Sequence, residues 1–192
     1  LPLLVRQGFK NQIFATDYTI KLSAVILRDS AALQMEDAEY ASKKGFSKHA
    51  IPLPLYDDHD VEKTLTNFSM VDFRVKTQIT RDASITYFPS GHILGSAFIL
   101  LEIAGKSLLF TSDMGRENHP LLSPPDRAPQ IAIDAVITES TYGDRIHDAP
   151  INSFAAEINA AIKRGGSILI PAFAVDRTEV ILMALRELIA QG

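Results

Sequence analysis

The chain has 192 residues, 46% hydrophobic and 22% charged, with a net charge of −4 and no cysteine. That profile reads as a soluble globular protein long enough to bury a core; it excludes disulfides, thiolate metal sites and cysteine nucleophiles, so any metal must be held by histidine and carboxylate. No apolar run approaches the ~20 residues of a membrane span and no leader pattern opens the sequence, so a cytoplasmic location is expected, and the negative total gives no global attraction for nucleic acid.

The chain opens at Leu1 rather than Met, and a fragment of a longer protein is expected. Residues 17–42 have helical spacing through Ile20, Ala24, Leu27 and Ala31, with Thr16 or Asp17 as the N-cap. Asp57-Asp58-His59-Asp60 opens a second helix, its acids crowding the first turn where the dipole favours them. After Phe68 the period becomes two, through Val71, Phe73 and Val75. Residues 85–88, 97–103 and 107–111 then read as strands, with Ala104-Gly105-Lys106 as a hairpin turn. A loop with prolines at 120, 124, 125 and 129 precedes a strand over 135–138 that reads as buried. From Asn152 the pattern is helix, strand, helix: Phe154, Ile158 and Ile162 at helical spacing, a Gly165-Gly166 stop, a short strand over 167–171, and a helix over 178–190. A domain boundary is placed near residues 142–150.

Three polar residues stand where hydrophobic strands run out. They are His92 in Gly91-His92-Ile93-Leu94-Gly95-Ser96, Asp113 in Phe110-Thr111-Ser112-Asp113, and Glu139 in Ile137-Thr138-Glu139-Ser140-Thr141. Strands that each deliver one imidazole or carboxylate to a common edge build a metal or acid/base site. A carboxylate such as Asp113 can bridge two cations about 3.5–4 Å apart, and coordination lowers the pKa of water from 15.7 to about 7. Each residue also has a plainer reading: His92 as a loop histidine, Asp113 as a turn aspartate, Glu139 as a cap. The Asp57-Asp58-His59-Asp60 run reads as a solvated helix start, because adjacent helical residues cannot converge on one ion. His49, His119 and His147, in polar or proline-rich surroundings, read as surface residues.

Gly91-His92-Ile93-Leu94-Gly95-Ser96-Ala97, Phe110-Thr111-Ser112-Asp113-Met114-Gly115-Arg116, Glu139-Ser140-Thr141-Tyr142-Gly143 and Ile170-Pro171-Ala172-Phe173-Ala174-Val175-Asp176-Arg177 resemble, in order, motifs of the β-CASP branch of the metallo-β-lactamase fold. Leu1-Pro2 resembles the residues that follow that family's His-x-His-x-Asp-His loop. The resemblance implies an α/β chain with α+β layers. Residues 1–143 would form a partial αββα metallo-β-lactamase sandwich and 144–192 the start of an α/β β-CASP cap domain. It implies His92 as a ligand to one of two zinc ions, Asp113 as their bridge, and Glu139 as a catalytic-site carboxylate that orients a catalytic histidine further along than residue 192. Arg177 would contact phosphate near a helix N-terminus, with an exposed salt bridge as its plainer reading. The implied activity is cleavage of RNA phosphodiester bonds by metal-hydroxide attack on single-stranded RNA, with DNA as a second substrate class and no membrane partner.

The departures are specific. The chain has five histidines and no His-x-His, Ser112 stands where the family commonly has glycine, and Asp176 stands where glycine usually precedes the arginine. With at most two of the usual three protein ligands, weak or absent zinc binding and no activity are expected of these residues alone. Alternative readings are a noncatalytic scaffold subunit of the same fold and a small-ester metallo-hydrolase. An uncovered sheet edge is expected to drive dimerisation or edge pairing.

Overall fold

The structure, a computed structural model, describes residues 1–45, 47–145 and 154–191. A five-residue helix, α1 (Pro2–Arg6), opens the chain with proline in its first turn, where a missing N–H leaves no helical bond unmade. After the short strand β1 (Ile13–Ala15) comes the long helix α2 (Asp17–Lys44), and Thr16 rather than Asp17 is its cap: the Thr16 Oγ1 accepts the Thr19 N–H. Helix α3 (Asp58–Leu65) starts with a reciprocal box, in which Asp57 accepts the Asp60 N–H and Asp60 accepts the Asp57 N–H at 3.1 and 3.2 Å. Asp60 is therefore not solvated as expected; it is buried and lies 3.2 Å from the Arg6 Nε, joining α1 to α3.

Strand β2 (Phe68–Met70) pairs in parallel with β1. The alternation through Val71, Phe73 and Val75 does not form the expected strand; a single bridge from Phe73 to Tyr87 interrupts irregular chain before β3 (Thr77–Gln78). A five-stranded sheet then runs β3, β4 (Ala83–Pro89), β5 (Ala97–Ile103), β6 (Lys106–Phe110), β7 (Ala135–Ile137). Its pairs are antiparallel except β6 with β7. Between β5 and β6, Ala104 and Gly105 sit at φ of 50° and 75° while Ile103 opposes Lys106, the signature of a type I′ turn. One sheet face holds the core of Phe98, Leu100 and Leu109, packed against Phe88 and Ile133, with the Phe88 and Phe98 rings stacked at 5.0 Å. The Tyr87 hydroxyl donates to the Phe14 carbonyl at 3.0 Å, tying the two sheets together.

Strand β7 is not buried as the sequence reading expects; Val136 is 56% exposed, because among the described residues β7 is the edge strand and is paired on one side only. Helices α4 (Phe154–Lys163) and α5 (Arg177–Gln191) follow, and α4 stops at Gly165, whose φ is 64°. Between them, residues 167–171 form no strand, and Leu169 is 93% exposed. Apolar β-branched character makes a strand only where another strand supplies a ladder, and none of the described residues does so there. The total accessible surface of 13947 Å² exceeds the about 9,000 Å² typical of a compact monomer of 21.1 kDa. Large exposed apolar side chains include Leu169, Phe173 and Ile189 in the C-terminal segment and Val25, Ile51 and Leu53 before the five-stranded sheet.

Candidate functional site

Strand direction brings the three predicted residues together. Strands β4 and β6 both run antiparallel to β5, and β7 runs parallel to β6, so β4, β6 and β7 point the same way. His92, Asp113 and Glu139 each follow the C-terminal end of one of them and meet at a single rim, the edge where open sheets commonly place ligands. Thr111 joins the last two ends. Its N–H bonds the Ile137 carbonyl at 2.9 Å, and its hydroxyl oxygen accepts the Glu139 N–H at 3.4 Å.

The His92 turn is held from three sides. Ser96 Oγ accepts the Ser90 hydroxyl and the N–H groups of His92 and Ile93, at 2.9 to 3.1 Å. The hydroxyls of Thr16 and Thr19 both donate to the Gly95 carbonyl, at 2.7 and 3.0 Å, so the α2 cap also fixes this turn. On the third side Gly115 donates its N–H to the Ser90 carbonyl at 2.8 Å, and a Cβ at position 115 would fall 1.8 Å from the Gly91 oxygen. Only glycine permits that approach between the His92 and Asp113 loops.

The His92 Nε2 lies 3.6 Å from Asp113 Oδ2, with side chains 44% and 67% exposed. Glu139 Oε1 accepts the Met114 N–H at 2.8 Å, one residue beyond Asp113. That bond first, then bonds from Thr141, then the nearness of His92, hold the Glu139 carboxyl below the usual carboxylate range. Beside the rim is a cavity of about 300 Å³ lined by Phe14, Thr16, Tyr87, Ile99, His92 and Asp113. Burial pushes the Tyr87 phenol above its ordinary pKa, so this wall stays neutral.

Imidazole nitrogen and carboxylate oxygen are donors that suit zinc-like cations, so His92 and Asp113 fit as part of a ligand set. Among the described residues no group of three or more His, Asp or Glu is placed to hold an ion. Arg177 is the first residue of α5, exposed and without an ion pair among the described residues, so its salt-bridge reading finds no partner there. His49 is exposed, and His147 lies outside the described residues. His119 is not a surface residue; its side chain is 6% exposed and lies 3.0 Å from Asp176, a partner distant in sequence. Sequence reasoning also missed Arg116, an exposed cation three residues past Asp113 with no ion pair among the described residues, and the turn-holding roles of Ser96 and Gly115. For Gly115 the signal was present in Asp113-Met114-Gly115.

The Ser112 and Asp176 departures share one backbone setting. Ser112 and Asp176 sit at φ of 55° and 73°, the left-handed region that glycine enters most freely.

No family model matches the chain. It is 32% identical to endoribonuclease ysh1 of Aspergillus fumigatus over 96% of this chain and 20% of that protein. It is 29% identical to a ribonuclease of Thermus thermophilus over 96% of this chain and 39% of that protein. Against cleavage and polyadenylation specificity factor subunit 3 of Dictyostelium discoideum the identity is 29%, over 93% of this chain and 22% of that protein. The chain spans between a fifth and two fifths of the length of these curated relatives. A mixed helix-and-sheet fold, four motifs in family order and this relatedness along nearly all its residues show that the chain belongs to the β-CASP branch of the metallo-β-lactamase family, of whose fold it forms a part.

Proposed function

We propose that this chain supplies part of the site of a two-zinc hydrolase that cleaves phosphodiester bonds in single-stranded RNA. Residues 1–143 are the partial metallo-β-lactamase portion and 144–192 begin the cap. The convergence of His92, Asp113 and Glu139 at the ends of three co-directional strands carries this reading. The relatives named endoribonuclease and ribonuclease support RNA as the substrate.

His92 Nε2 and the Asp113 carboxylate would hold metal, which when bound supplies a Lewis acid and lowers the pKa of water. Asp113 has two oxygens for two cations. Glu139, kept ionised by the Met114 N–H, offers an acceptor for orienting an imidazole supplied from outside these residues. The exposed Arg116 and Arg177 offer cations to phosphate. With two ligand side chains, these 192 residues by themselves should bind zinc weakly and turn nothing over. The β7 edge, unpaired on one side among the described residues, favours self-association, and a cytoplasmic location goes with this reading.

The test is cleavage of end-labelled single-stranded RNA by the longer protein that carries this segment, with zinc content measured on the same samples. His92→Ala and Asp113→Asn should each lower cleavage by roughly 10²-fold or more and reduce bound zinc. Undiminished cleavage in both, or hydrolysis of small esters in place of RNA, overturns the proposal. A zinc-free, inactive wild-type protein would assign the scaffold role instead.

A further inference from the structure

Of the polar clusters away from the rim, one is closed and fully partnered. His119 Nδ1 accepts the N–H groups of Leu121 and Leu122, each at 3.1 Å. A ring nitrogen that accepts two N–H groups carries no hydrogen itself, so the proton sits on Nε2. That nitrogen lies 3.0 and 3.3 Å from the two carboxylate oxygens of Asp176 and donates to them. Side-chain exposures of 6% and 17% leave the pair nearly sealed, and no lone pair of the ring is free for an ion.

His119 opens the proline-rich strap of residues 120–129. At the other end of the strap, Asp126 receives a forked bond from Arg74 at 2.7 and 2.9 Å, and its N–H bonds the Pro89 carbonyl at 2.9 Å. In between, the strap lies directly on Gly91: a Cβ there would be 2.9 Å from the Pro125 nitrogen and 3.0 Å from the Ser123 carbonyl. Asp176 precedes α5, and its carbonyl accepts the Val180 N–H at 3.1 Å, while its carboxylate turns to His119. The contacts therefore run unbroken from the start of α5, through His119 and the strap, to the residue beside His92.

We propose that His119 is a positioning residue: with Asp176 it forms a bolt that fixes the start of α5, and Arg177 with it, to the strap backing the His92 turn. The bolt deepens the reading of that rim as an RNA-cleaving site and rests on it for its functional meaning. Its geometry can be tested without RNA or metal.

Nuclear magnetic resonance of the isotope-labelled 192-residue chain provides the test. Long-range proton–nitrogen correlations should show His119 as a fixed Nε2–H tautomer. Asp176→Asn, which keeps an acceptor oxygen, should leave that pattern intact. Asp176→Gly should leave the tautomer that the Leu121 and Leu122 N–H groups set, yet shift the His119 Nε2 resonance and the amides of Gly91 and His92, while the β5 amides stay in place as the control for folding. His119→Asn, too short to span both contacts, should shift the same two amides. A His119 ring averaging between tautomers in the wild type overturns the bolt, as do both variants leaving Gly91 and His92 unmoved. That failure would leave the proposed RNA cleavage standing, and an inactive longer protein would leave the bolt standing.

Discussion

His92 and His119 each face an aspartate, yet the surroundings give the two pairs opposite characters. At the rim, His92 and Asp113 are 3.6 Å apart and both largely open to solvent. Beneath the strap, His119 and Asp176 are 3.0 Å apart and nearly sealed, with both ring nitrogens engaged. A metal needs a lone pair that can face it, and a phosphate needs approach; the first pair offers both and the second neither. Exposed ion pairs contribute only about 0–1 kcal/mol, so the rim pair adds little to folding. Removing a partner from a sealed pair strands the other groups, which costs more than the bond itself is worth.

The sharpest way to break that comparison is to delete each imidazole. His119→Ala leaves two backbone N–H groups and a carboxylate without their partner and should lose about 2–3 kcal/mol. His92→Ala should stay within about 0.5 kcal/mol of wild type. Urea unfolding of both, with unchanged m values, measures the difference, and equal losses would erase the distinction. The next effect in size is that of Gly115→Ala, whose methyl would lie 1.8 Å from the Gly91 oxygen. The two loops must then part, at about 1–3 kcal/mol, and His92 should separate from Asp113. A variant as stable as wild type, with the His92 amide resonance unmoved, would show that the loops do not meet there.

The smallest effect belongs to Glu139. Its folded-state carboxyl lies below the ordinary range, chiefly through the Met114 N–H, so on acidification the unfolded chain takes up this proton first. The stabilisation is present above the unfolded pKa and is lost as pH falls through the folded one. Glu139→Gln should therefore trail wild type most at neutral pH, with the gap closing on acidification. A gap that does not change with pH would show that the carboxylate's charge is not what the Met114 N–H holds.

The strands β4 to β6 were legible because their information is local. Phe98 and Leu100 alternate along one strand, Leu109 stands opposite Leu100, and a two-residue turn sets the register between them. The α2 start narrowed to two residues, and Thr16 won because its hydroxyl reaches the Thr19 N–H. Helix α1 and strand β1, of five and three residues, carry too little periodicity to be recognised. The apolar run at 168–170 misled for the opposite reason: it has strand character but no neighbouring ladder among the described residues. His119 misled because proline-rich surroundings imply a surface loop, while the aspartate that closes over it is 57 residues away.

The order of residues by itself determined which chemistry is available: no thiols, five imidazoles, and three polar side chains each placed just past an apolar strand. Local pattern also settled the hairpin and the long helix, since turn geometry and side-chain period act over a few residues. The tertiary structure decided which groups meet. Strand direction, set by pairing across the sheet, carried His92, Asp113 and Glu139 to one rim, and chain packing sealed His119 against Asp176. Convergence and burial depend on contacts between segments far apart in the chain, and no local preference encodes them.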